Sequence, residues 1–208
     1  MRAVDFTQSR IPLGMTRKQK IDNLRAAVFS DDRTVVEDAC VRLFYWGGGF
    51  SKTAQRKCRQ FLIDLLDQDN GMVRNFVALT FRNQGFNAAV SPLFKALFKP
   101  ENFSNRSTLV HALRELNCSQ HLGEVFAILF GAANDFVVQR SALKILNGQV
   151  FEFTQIDFAT ITANWNVLKD DWNRLNNIDE REGHNFAYDR EYIQSYVDYY
   201  LAYLNKES

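Results

Sequence analysis

The chain has 208 residues, 46% apolar and 24% charged, with a formal net charge of +1, a composition that supplies a sizeable globular core and excludes disorder and collagen-like repeats. Three prolines and ten glycines exclude a turn-rich, low-complexity chain. The three cysteines, Cys40, Cys58 and Cys118, are too widely spaced for a disulfide framework or a paired zinc motif, and read as reduced, buried thiols. The first residues lack the apolar run of a secretory signal, and no later stretch is apolar enough to span a bilayer, so a soluble cytoplasmic protein without membrane contact is expected.

After an N-terminal extension over residues 1–16, apolar residues recur at the i, i+3, i+4, i+7 spacing that lays a stripe along one side of a helix. The stripes begin with Ile21-Leu24-Val28 and Val36-Ala39-Cys40-Leu43, and continue with Cys58-Phe61-Leu62-Leu65-Leu66 and Val73-Phe76-Val77-Phe81. Val90-Leu93-Phe94-Leu97, Leu109-Ala112-Leu113-Leu116, Leu122-Val125-Phe126-Leu129 and Val138-Ala142-Ile145-Leu146 follow. No strand-length alternation interrupts them, so the fold class is all-α. Between the stripes, Ser30-Asp31-Asp32, Asp69-Asn70-Gly71 and Ala133-Asn134-Asp135 offer oxygens to cap helix starts, while Gly47-Gly48-Gly49, Gly85, Pro100 and Gly148 can end helices. The helices therefore come in pairs.

The pairs are related by an approximate repeat. The alanines of the second helices, Ala39, Ala78, Ala112 and Ala142, are 39, 34 and 30 residues apart, and the first-helix positions Leu24, Leu62, Leu93 and Val125 are 38, 31 and 32 apart. A two-helix unit that cannot bury its own stripe buries it against the next unit, which predicts a stacked α-solenoid of about four pairs. The segments Asn70-Gly71-Met72-Val73-Arg74-Asn75-Phe76-Val77-Ala78-Leu79 and Asn134-Asp135-Phe136-Val137-Val138-Gln139-Arg140-Ser141-Ala142-Leu143-Lys144-Ile145-Leu146 resemble the Asp/Asn turn, Val-Arg start and Ala-Leu middle of the HEAT-repeat family, over residues 17–148. The resemblance implies a scaffold that binds other proteins. Some members of the family act in DNA repair or in bilin attachment.

Beyond Gly148, residues 149–208 read as a helical cap: an apolar helix-bearing stretch from Phe151 to Leu168, a recurrence of Trp165, Leu168, Trp172 and Leu175, a polar loop, and a closing helix from Asp189. Six of the seven tyrosines lie between Tyr188 and Tyr203. They suit both a lid over the open end of the array and a partner surface. Charge separates along the chain: residues 1–106 carry 17 Lys+Arg against 10 Asp+Glu, whereas residues 149–208 carry 5 against 11. An acidic, tyrosine-rich tail suits a basic protein partner, and the expected contacts are Glu182, Asp189, Glu191, Tyr192, Asp198, Tyr199 and Tyr203.

The leading expectation is a non-catalytic, cofactor-free interaction protein, of the kind that neutralises a basic, nucleic-acid-degrading bacterial toxin as its immunity partner. A second reading is a nucleic-acid-binding module in which Lys52, Arg56, Lys57, Arg59 and Arg74 meet phosphates, and a third is a bilin lyase-like enzyme, for which no dedicated residue is found. Gly47-Gly48-Gly49-Phe50-Ser51-Lys52-Thr53 lacks the glycine before Lys-Thr that a phosphate-cradling loop needs, and reads as a connector. The histidines form no metal motif, Asp179, Glu180, Glu182 and His184 read as a solvated loop, and His111 pairs by spacing with Glu115. No nucleophile–base–orienter set is expected.

Overall fold

The computed structural model describes residues 15–46, 51–132, 135–175 and 188–207, and all regular structure among them is helical. The helices are α1 (Arg17–Ala27), α2 (Arg33–Tyr45), α3 (Lys52–Asp64), α4 (Gly71–Asn83), α5 (Val90–Leu97), α6 (Ser107–Leu113), α7 (Leu122–Phe130), α8 (Phe136–Gly148), α9 (Gln155–Leu168), α10 (Trp172–Leu175) and α11 (Arg190–Glu207), with short 3-10 turns after α3 and on either side of α5. Each of the eight stripes read from the sequence falls on one of α1 to α8 or runs just past its end. No helix among the described residues is long and apolar enough to cross a membrane.

The helix starts are set by side chains that satisfy otherwise open backbone amides. Asp32 accepts from the Thr34 amide at 2.8 Å, Asn70 from those of Met72 and Val73 at 3.1 and 3.2 Å, and Asp135 from that of Val138 at 3.1 Å. These are three of the breaker residues expected to do so. Ser51 caps α3, and reciprocal Thr–Gln and Thr–Asp boxes open α1 (Thr16, Gln19) and α9 (Thr154, Asp157).

The end of α4 is as well defined. Gly85 has φ +59°, its amide donates to Arg82 O at 3.1 Å, and the Phe86 amide donates to Phe81 O at 3.0 Å. This is the Schellman closure, and the Phe81 and Phe86 rings add its apolar clasp at 5.3 Å. Gly85→Ala meets no neighbouring atom, so its cost is the left-handed backbone alone, about 1–2 kcal/mol. Urea titration of the two proteins measures it. A loss much above that range would mean that more than the backbone angle had changed.

The chain forms two compact units, Met1–Thr80 and Phe81–Ser208, divided within α4. In the first, α1 packs on α2 and α2 on α3, burying Val36, Cys40 and Leu43 from α2 and Leu62 from α3. In the second, α5 packs on α6, α6 on α8, α7 on both α8 and α9, and α9 on α11. All four recurring alanines, Ala39, Ala78, Ala112 and Ala142, are buried, as expected for small side chains where helices approach closely.

The three cysteines are reduced and buried. Burial pushes the Cys40 and Cys118 thiols up to about 12, and raises that of Cys58. Since the thiolate is the reacting species, the native protein at pH 8 should give no prompt reaction with an aromatic disulfide reagent, whereas all three thiols react in denaturant. Rapid titration of a thiol in the native state would contradict this burial.

Residues 149–153 connect α8 to α9 without helix, so their peptide groups need partners elsewhere. The Glu152 amide finds one, and the Gln149 side chain pairs two peptide groups of the turn it faces. Its Oε1 accepts from the Cys118 amide at 2.6 Å and its Nε2 donates to Leu116 O at 2.8 Å, while the Glu152 amide donates to Ser119 O at 2.8 Å. The connector is thereby fastened to the turn between α6 and α7.

The terminal helices close the second unit through aromatic rings. Trp165 of α9 lies between Phe130, stacked at 5.5 Å, and Trp172, edge-on at 5.3 Å, and its indole donates to Gln194 Oε1 of α11. The opposite side of α9 leaves Ile156 and Val167 each 80% exposed.

Candidate functional site

The tyrosines of α11 divide into two groups. Tyr200 is buried, meets Phe126, Phe151 and Phe153 edge-on, and donates its hydroxyl to Leu146 O at 3.3 Å. Burial raises its pKa. Tyr192, Tyr199 and Tyr203 are exposed, Tyr199 by 65%. The helical repeat explains the division: Ile193, Val197 and Tyr200 lie at i, i+4, i+7 and are buried, which turns the neighbouring positions outward.

Between the outward tyrosines and the connector lies a cleft of ≈ 620 Å³. The end of α8 and residues 149–153 form one side, with Asn147, Phe151 and Phe153, and α11 forms the other, with Tyr192, Tyr196, Tyr199, Tyr200 and Tyr203. Tyr192 stacks on Tyr188 at 4.9 Å. Asn147 Nδ2 donates to Tyr196 Oη at 2.7 Å, and the Tyr192 and Tyr196 hydroxyls lie 3.3 Å apart. That hydrogen bond, followed by burial and the neighbouring tyrosines, pushes the Tyr192 phenol up to about 12, so it is neutral near pH 7. The cleft is thus lined chiefly by aromatic rings and tyrosine hydroxyls.

A second cleft of ≈ 330 Å³ lies beside α7 and α9 and shares Phe153 with the first. Glu124, Glu152 and Asp157 are its charged lining residues, beside Phe98, Phe126 and Phe130. The Asp157 carboxyl is held below the usual range by backbone and hydroxyl hydrogen bonds from Thr154. Neither cleft is lined by a lysine or arginine among the described residues.

Of the contacts expected in the tail, Tyr192, Tyr199 and Tyr203 line the first cleft. Asp189 caps α11, accepting from the Tyr192 amide at 2.6 Å, and Asp198 accepts from Gln194 Nε2 at 2.8 Å. Glu191 is exposed in the first turn of α11. Glu182, the cluster of Asp179, Glu180 and His184, and the Gly47–Gly49 connector lie outside the described residues. Sequence reasoning missed Asn147, Phe151, Phe153 and Tyr196 as cleft residues. The aromatic run Phe151-Glu152-Phe153 was the available signal.

The basic row separates in the structure. Lys52, Arg56 and Lys57 are exposed on α3. Arg59 is half-buried, with its guanidinium 4.1 Å over the Phe44 ring and its Nε donating to Phe44 O at 3.2 Å. Arg74 is 3% exposed and donates to Gln68 O at 3.3 Å. These two arginines therefore hold neighbouring structure, and the row open to phosphates shrinks to three residues.

The histidines differ from their sequence reading too. His111 Nδ1 lies 3.2 Å from Arg114 Nη1, while Glu115 faces Arg82 at 3.8 Å. Burial first, then the positive charges of Arg82 and Arg114, lower the His111 pKa and favour a neutral ring. His121 supplies a serine–histidine–carboxylate line that the sequence reading did not assemble. Ser91 Oγ lies 3.4 Å from Nε2, Glu124 Oε1 lies 3.0 Å from Nδ1, and the ring stacks on Phe94 at 4.9 Å. The serine contact is long for a hydrogen bond, Ser91 and His121 line neither cleft, and His121 is the N-cap of α7 with Glu124 in its first turn. The histidine–carboxylate contact therefore lies within the first turn of α7. Among the described residues, no group of three or more His, Cys, Asp or Glu is placed to hold a metal ion.

Comparison of the chain with protein-family models, curated proteins and solved structures found no match.

Proposed function

We propose that the chain is a HEAT-like α-solenoid acting as a non-catalytic binding protein, an immunity-type inhibitor whose tyrosine-rich end occupies the nucleic-acid-binding surface of a basic toxin. The observation that carries this reading is the aromatic cleft: three exposed tyrosines of α11 line it, and the stretch containing it, residues 149–208, has a charge balance of −6. Tyrosine supplies large, rigid contact area at low entropic cost. Negative charge speeds the approach of a basic partner.

Within the second unit, the packing of α6 on α8 and of α7 on α9 supports the layered arrangement, because each helix meets its counterpart in the next pair. The burial of Ala112 and Ala142 supports it again. The test is purification of the tagged chain from its native cell beside a Tyr192→Ala/Tyr199→Ala variant. The wild type should retain one stoichiometric protein with a pI above about 9, and the variant should lose it. Recovery of the chain alone, or of a partner that the variant also keeps, overturns the reading.

Lys52, Arg56 and Lys57 on α3 support a second reading, binding of nucleic acid as in repair-type HEAT proteins. It requires association with duplex or single-stranded DNA at low salt that weakens steeply as salt rises, and further in Lys52→Glu/Arg56→Glu. Absence of binding at low salt ends it.

A further inference from the structure

We infer that the tyrosine cleft seats the guanidinium of an arginine side chain presented by the basic partner. The inference rests on the preceding reading and deepens it by naming the group that anchors the complex. Its starting point is the division of labour between the two clefts that meet at Phe153.

The larger cleft is lined by rings on both sides: Phe151 and Phe153 from the connector, and Tyr192, Tyr196, Tyr199 and Tyr203 from α11. A ring face carries the negative part of the aromatic quadrupole and attracts a cation. The smaller cleft adds the carboxylates of Glu124, Glu152 and Asp157, and no lysine or arginine among the described residues lines either one to compete for the position. Glu152 and Phe153 are sequence neighbours, each lining the smaller cleft, so the connector itself joins the carboxylate side to the ring side.

The polar groups narrow the cation further. Asn147 Nδ2 donates to Tyr196 Oη, and the Tyr192 hydroxyl lies 3.3 Å from the same oxygen. That bond and the surrounding tyrosines hold the Tyr192 proton. The hydroxyls form a hydrogen-bonding rim around an aromatic slot. A guanidinium fits such a slot better than an ammonium: it is planar, stacks on rings, is weakly hydrated, and sends N–H donors outward in its own plane. An ammonium must give up strongly bound water to enter. The −6 balance of residues 149–208 supplies the charge complementarity that selects a basic protein over an acidic or neutral one.

The connector is already fastened to the α6–α7 turn through Gln149 and Glu152, so one side of the slot is in place before a partner arrives. Preorganisation of this kind reduces the ordering cost of binding.

The experiment is a titration of the full chain with four blocked tetrapeptides, of arginine, lysine, citrulline and glutamate, followed by proton NMR of the peptide. Citrulline keeps the planar shape of arginine, replaces one terminal donor nitrogen by an acceptor oxygen, and removes the charge. The arginine peptide should bind, with its δ-methylene protons displaced upfield by the ring currents of the cleft. Citrulline and glutamate should give no shift, and lysine should bind about fivefold or more weakly. In Tyr199→Ala/Tyr203→Ala, two exposed positions, the arginine affinity should fall by about tenfold. The exposed Tyr45 provides the control, since Tyr45→Ala should bind as the wild type does.

Equal binding of citrulline and arginine, arginine binding without the upfield shift, or unchanged affinity in the α11 variant overturns the assignment. Circular dichroism of each variant separates a lost slot from a lost fold. A native partner captured through α11 together with a failed arginine titration removes the anchor and keeps the binding function. A successful titration with no native partner does the reverse.

Discussion

Replacing Trp165 with alanine should produce the largest loss of stability of any single substitution in α9, about 3–5 kcal/mol. The side chain is 1% exposed, and it meets neighbours on three different helices. Phe130 of α7 stacks on it, Trp172 of α10 meets it edge-on, and Gln194 of α11 accepts its indole proton. Truncation removes the apolar area, leaves a cavity at the junction of these elements, and strips the half-buried Gln194 acceptor of its donor. Trp165→Phe restores much of the volume but not the hydrogen bond, so it should fall between the alanine variant and the wild type. Equilibrium urea unfolding followed by circular dichroism measures both. If the alanine variant unfolds at the wild-type midpoint, Trp165 does not hold the terminal helices in place.

The second large effect belongs to binding. If purification recovers the proposed basic partner, Tyr192→Ala/Tyr199→Ala should weaken the complex by roughly 4 kcal/mol, about a thousandfold in Kd, as expected for two central aromatic anchors. Tyr200→Phe provides the contrast: Tyr200 is buried against Phe126, Phe151 and Phe153, so removing its hydroxyl should alter stability slightly and leave Kd within about twofold of the wild type. Calorimetric titration distinguishes these outcomes. If Tyr200→Phe weakens the complex as much as the double alanine variant does, the lid residues rather than the outward rings carry the interface.

The helices were legible because burial imposes a 3.6-residue period on the residues that face a core, and side-chain oxygens mark where the period restarts. Asp32, Asn70 and Asp135 are such marks, and each caps a helix. The site was less legible, for a physical reason visible in Arg59 and Arg74. Both carry a long apolar stem and a head that can serve a carbonyl or a ring as readily as a phosphate, and spacing along one helix does not reveal that Phe44 or Gln68 O stands within reach. The association of Ser91 with His121 depends in the same way on register between elements thirty residues apart. The concentration of tyrosines on the closing helix was readable from composition. Their opposing wall was not, since the connector carrying Phe151 and Phe153 is fastened through Gln149 to Cys118, thirty-one residues away.

That amide side chain has a dynamic consequence. Because Gln149 stands where a strand's peptide group would stand, the Cys118 amide can meet solvent only when the connector lifts, and the Glu152 amide, bound to Ser119 O, is released by the same movement. Deuterium uptake at these two sites should therefore share one rate, slower than at exposed helix ends and faster than at the centre of α8. The floor of the slot would then behave as a cooperative foldon of its own, opening while the surrounding rods stay wound.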